Sequence, residues 1–101
     1  MKQGVDMVDE ITKILTEFAL TKFPVKALEV KGPVQEGTKY RWRIVSTRYK
    51  DVTVVLEIKK LLFRKFGVQA IHVYGTTQDR SLEPDLEDLR AYLETAELVS
   101  R

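Results

Sequence analysis

Asp51, Glu57 and Lys59 stand in the order D…E-x-K, in which two carboxylates can hold Mg²⁺ while a lysine positions or activates the attacking water. Phosphodiester cleavage would be the chemistry of such a set. It needs Glu57 and Lys59 on one side of their element. A strand provides that; a helix turns through about 200° over two residues and points them apart. Asp51 is also close to Glu57 in sequence, so Glu36 or Glu10 would have to complete the site. The E-x-K spacing arises readily in a lysine-rich sequence, and a solvated helix face with a Glu57–Lys60 pair is the stronger reading.

His72 is the only histidine, which excludes a two-histidine metal site within one chain. Ser46 or Ser81 could join His72 and an acid as a nucleophile, but no G-x-S-x-G elbow accompanies either serine. Partly buried packing beside Tyr74 is the plainer role for this ring. The five glycines form neither G-x-G-x-x-G nor G-x-x-x-x-G-K-[ST], so no nucleotide cofactor is expected, and no metal. The loop "KGPVQEGTK" carries Lys31 and Lys39 at its edges and could touch a phosphate, though a hairpin tip describes it better.

A cationic surface remains. In "KYRWRIVSTRYK", residues 39–50, alternation sends Tyr40, Trp42 and Ile44 to one side and Lys39, Arg41 and Arg43 to the other. Lys31 joins that second side, Arg48 and Lys50 extend it past the strand end, and His72 and Tyr74 on a later strand offer rings. Cations for phosphates beside rings for unstacked bases suit RNA or another single-stranded nucleic acid. The competing expectation is that the acidic C-terminal helix crosses this face and pairs with the arginines through Glu83, Asp85, Glu87 or Glu94.

The elements that must position these residues follow from periodicity. Val8, Ile11, Ile14, Leu15, Phe18 and Leu20 predict a helix from Val5 to about Lys22, with Asp6 as N-cap and "KFP" ending it near Pro24. Residues 25–31 and 39–47 alternate around the turn-rich "GPVQEGT", which predicts a hairpin. Pairing Leu28 with Trp42, Val30 with Tyr40 and Glu29 with Arg41 gathers apolar side chains on one face and opposite charges on the other. Residues 52–66 are ambiguous. Val52, Val54, Leu56 and Ile58 alternate as in a strand, whereas Val55, Ile58, Leu62 and Phe66 share a helical face and Gly67 suits a helix end. The length favours a helix. "VQAIHVYG" reads as a third strand, "TTQDRS" as a loop, and residues 84–99 as a helix with Pro84 in its first turn and Leu86, Leu89, Leu93 and Ala96 buried.

The predicted fold is therefore α+β, helix-strand-strand-helix-strand-helix, with a small, about three-stranded sheet under packed helices. In element order alone this looks like the type II KH-like arrangement. The G-x-x-G clamp that KH domains close on RNA is missing, because four residues separate Gly32 from Gly37.

The bulk numbers bound the rest. The chain has 101 residues, 44% hydrophobic and 32% charged, which predicts one folded domain over 1–101. With no cysteine there is no disulfide framework or thiolate metal site. No apolar run approaches the roughly 18 to 20 residues of a membrane span, so a cytoplasmic protein without membrane contact is expected. The net charge of +2 divides unevenly: residues 22–66 carry twelve bases and four acids, residues 67–101 three bases and seven acids. Such asymmetry suits polyanion binding, and it equally suits an acidic helix beside a basic sheet. The function expected is non-enzymatic binding of nucleic acid through a basic sheet face. Self-association as an assembly module is the alternative, and a nuclease built on Asp51, Glu57 and Lys59 the second.

Overall fold

The structure, a computed structural model, describes residues 4–21, 29–60, 66–82 and 85–100. Helix α1 (Gly4–Thr21) is followed by strands β1 (Glu29–Glu36), β2 (Lys39–Val45), β3 (Val52–Lys60), β4 (Phe66–Tyr74) and β5 (Arg80–Leu82), then by helix α2 (Leu86–Thr95). The strands form one antiparallel sheet in the order β1-β2-β3-β4-β5, each beside its neighbour in sequence. The α+β class holds. The described part has five strands and two helices, in place of about three strands and three helices, and the likeness in element order to the KH-like arrangement falls with that difference.

The first nine residues of the stretch expected to be helical are β3. Val52, Val54, Leu56 and Ile58 are buried while Thr53, Val55 and Glu57 are half-buried, the period of two that a strand with one face in the core requires. β3 lies between β2 and β4, so its β-branched run packs on both flanks, and that tertiary gain overrides the weaker helical pattern. Gly67, expected to stop a helix, lies inside β4 opposite Lys59. The expected loop "TTQDRS" contains the start of β5.

β1 is also longer than its sequence suggests. Most of "GPVQEGT", expected as a turn, belongs to the strand, and the hairpin closes over Gly37 and Thr38. Gly32 and Pro33 fill a bulge between Lys31 and Val34. Gly32 has φ +108°, and a Cβ there would come within 2.6 Å of the Arg41 carbonyl oxygen, so glycine alone fits. The pairing differs from that expected: Val30 lies opposite Ile44 and Glu29 opposite Val45. The slip from Tyr40 to Ile44 is an even number of residues, so Glu29 and Val30 keep their predicted faces. Pro24, Leu28, Glu83 and Pro84 lie outside the described residues.

Both helices cover the same side of the sheet. Met7, Val8, Ile11, Ile14, Leu15 and Phe18 of α1 and Leu89, Tyr92 and Leu93 of α2 join Trp42, Ile44, Val52, Val54, Leu56, Ile71 and Val73 in one core. α1 begins at Gly4, so Asp6 lies within it, and Leu20, 73% exposed, falls off the buried stripe. Trp42 is fully buried, and its indole N–H donates to Thr12 Oγ1 (2.9 Å), which in turn donates to the Val8 carbonyl (2.8 Å). α2 is capped by Asp85, whose carboxylate accepts from the Glu87 N–H (2.9 Å).

α2 ends at Thr95, short of the expected Val99, because the residues after it turn extended and close one end of the sheet. The Lys50 N–H donates to the Val99 carbonyl (2.7 Å) and the Thr77 N–H to the Glu97 carbonyl (3.1 Å). No described helix is long and apolar enough to cross a membrane.

Candidate site on the open face of the sheet

With both helices on one side, the other face of the sheet carries the polar residues in cross-strand rows. Registers place Lys31, Arg43, Thr53 and Tyr74 in one row, Val34, Arg41, Val55, His72 and Ser81 in the next, and Glu36, Lys39, Glu57 and Ala70 in a third. Trp42 and the cations of β2 thus lie on opposite faces, as alternation requires. α2 does not seal the arginines: their side chains are 43% (Arg41) and 52% (Arg43) exposed. Arg48 and Lys50 are exposed in the β2–β3 connection, beyond the end of the face rather than on it.

The face is less basic than its strand sequences imply. Arg41 is ion-paired with Glu36, and Arg43 with Asp51. Lys39 lies opposite both Glu36 and Glu57. Carboxylates from β1, β3 and the residue before β3 therefore interleave with the cations. Sequence reading expected Glu29 opposite Arg41 and missed the pairs that form, because only the register and the loop before β3 bring Glu36 and Asp51 to the arginines.

Asp51 and Glu57 do not converge. Six residues of extended backbone separate them, about 20 Å at the usual strand rise, so they cannot share one metal ion. The side chain of Lys59, the lysine of that set, lies outside the described residues. Among the described residues no three histidine or carboxylate side chains gather to hold a metal.

His72 is the centre of the best-formed cluster. Its Nε2 lies 3.1 Å from Glu57 Oε2 on β3 and its Nδ1 2.7 Å from Ser81 Oγ on β5. The ring lies nearly parallel to that of Tyr74, 14° between planes and 6.1 Å between centroids. Ser81 was one of two serines that sequence could offer to His72. Ser46, the other, is spent in the turn after β2, where its Oγ accepts from the Tyr49 N–H (2.9 Å).

Glu36, Lys39, Arg41, Val55, His72 and Tyr74 line a shallow depression of ≈ 310 Å³ on this face. Val55 supplies an apolar floor, Lys39 and Arg41 one wall, and the stacked rings of β4 the other. A second depression, ≈ 480 Å³, runs between β5 and α2 and reaches Ser81 from the other side. Comparison with models of protein families, with curated proteins and with solved structures finds no match.

Proposed function

We propose that this protein binds single-stranded nucleic acid, RNA in the first instance, across the open face of its sheet. The observation that carries the reading is the depression over Val55, with Lys39 and Arg41 on one side and His72 and Tyr74 on the other. Strands about 4.8 Å apart set Arg41 and His72 about 10 Å apart at Cα, room for one phosphate held by Arg41 and Lys39 with the rings of His72 and Tyr74 beside it. Tyr74, 44% exposed, offers its ring to an unstacked base. The phosphate displaces Glu36 from Arg41, which limits affinity and makes it depend on that carboxylate.

The test is binding of labelled single-stranded RNA across a salt series. Affinity falls steeply with salt, and Arg41→Glu combined with Arg43→Glu weakens binding and flattens the slope by about 0.7 for each phosphate no longer neutralised. Binding indifferent to salt, or no binding by folded protein at low salt, would end the proposal.

A second reading, self-association, has one observation in its favour: the alternation of charge on the open face makes it self-complementary. Strand addition at the edges is disfavoured, because β1 carries a Gly32–Pro33 bulge and β5 has only three residues. A mass that rises with protein concentration and falls with salt would favour this reading over the first.

A further inference from the structure

We infer that Ser81, His72 and Glu57 form a nucleophile relay that hydrolyses short-chain carboxylic esters. The relay rests on hydrogen bonds across β3, β4 and β5; it shares His72 with the proposed nucleic-acid site but does not depend on that reading. Ser81 Oγ lies 2.7 Å from His72 Nδ1, and His72 Nε2 lies 3.1 Å from Glu57 Oε2. A carboxylate can only accept, so Nε2 carries the ring proton and donates to Glu57. In the neutral ring Nδ1 is then the acceptor, and the Ser81 hydroxyl donates to it. The sequence nucleophile, base and orienting carboxylate is the arrangement that activates a serine, and it is recognised by geometry rather than by order along the backbone.

Exposure fits the role of each residue. Ser81 is exposed on the edge strand, while the side chains of His72 and Glu57 retain 21% and 30% of their accessible surface, sheltered enough to hold one geometry. Ser81 Oγ stands on the open face beside His72, where a small ester reaches it from solvent; the depression between β5 and α2, lined by Leu82, Ala91 and Tyr92, lies on the opposite face of β5 and takes no part.

The reaction balances with water as the only co-reactant. As the Ser81 Oγ–carbonyl bond forms, the hydroxyl proton passes to His72 Nδ1, and Glu57 stabilises the resulting imidazolium through Nε2–H. The bond from carbonyl carbon to the alkoxy oxygen breaks, and the Nδ1 proton goes to the departing alcohol. Water then attacks the acyl-serine, giving its proton to Nδ1; the carbonyl–Oγ bond breaks, and that proton returns to Ser81 as the carboxylic acid leaves. Glu57 is a positioning residue throughout.

The full-length protein, without RNA, is treated with an alkyl fluorophosphonate, which forms an Oγ–P bond and expels fluoride, and adducts are mapped by peptide mass spectrometry; p-nitrophenyl acetate hydrolysis is followed in parallel. Ser81 is expected to be modified at least about tenfold faster than Ser46, and His72→Gln to slow both reactions by about 100-fold or more. Glu57→Gln should slow them similarly, and ring ¹⁵N shifts should show the Nε2–H tautomer of the wild type lost in that variant, a change that a purely structural contact would not couple to Ser81 reactivity. Modification of Ser81 no faster than of Ser46 in the wild-type protein, or at a rate that His72→Gln leaves unchanged in a variant that melts normally, overturns the proposal.

Discussion

Trp42 shows how much one position can settle. An indole in a core must bury its ring and still satisfy its N–H, and here α1 supplies the acceptor through Thr12 Oγ1. Thr12→Val keeps the shape of the side chain and removes the acceptor, leaving a buried donor unpaired. The expected loss is about 1–3 kcal/mol of unfolding free energy, measured by urea denaturation, with little change in the dependence on urea. A loss under half that size would mean that water replaces the threonine. Alternation made the inward course of Trp42 and the outward course of Arg41 and Arg43 legible from sequence, since a strand allows nothing else. Residue type offered Ser81 and Ser46 alike to His72, and nothing in the sequence chose between them. Ser81 and His72 are nine residues apart, and only the antiparallel pairing of β4 with β5 sets them side by side.

At the scale of elements the same distinction between local pattern and pairing recurs. α1 and most of α2 could be read because an amphipathic stripe is written within the segment itself. Residues 52–60 carried two patterns at once, and the choice lay in neighbours that periodicity does not record. The end of α2 was missed for a related reason: residues 97–100 give up helical bonds for backbone partners in the loops after β2 and β4. This terminal segment ties both loops down, and its partly buried Leu98 packs on the core. Truncation after Ala96 removes the acceptors of the Lys50 and Thr77 N–H groups together with Leu98. The expected cost is about 2–4 kcal/mol, the sum of the half-buried Leu98 and Val99 side chains and two backbone bonds. Hydrogen exchange should report faster exchange at Lys50 and Thr77 in the shortened protein, while the centre of β3 keeps protection relative to its own lowered stability. Unchanged exchange at those two amides would show that the segment does not hold the loops.

On the whole molecule, the charge asymmetry along the sequence becomes a division by layer. The helix layer carries exposed acids such as Asp9, Glu87 and Asp88, while the open face mixes cations with Glu36 and Glu57. That division separates local recognition of a polyanion from attraction to net charge alone. Glu36→Gln and Asp9→Asn each raise the net charge by one, but the first releases Arg41 beside the depression and the second alters only the far layer. If RNA is held at the depression, Glu36→Gln tightens binding severalfold and steepens the salt slope by about 0.7, one further phosphate neutralised, while Asp9→Asn leaves both nearly unchanged. Even the shortest extent of the molecule, 19 Å, exceeds the Debye length of about 8 Å at 0.15 M salt, so a charge on the far layer is screened there and the contrast is best read at that ionic strength. Equal effects of the two variants would mean that RNA responds to overall charge, and the open face would lose its claim to be the binding site.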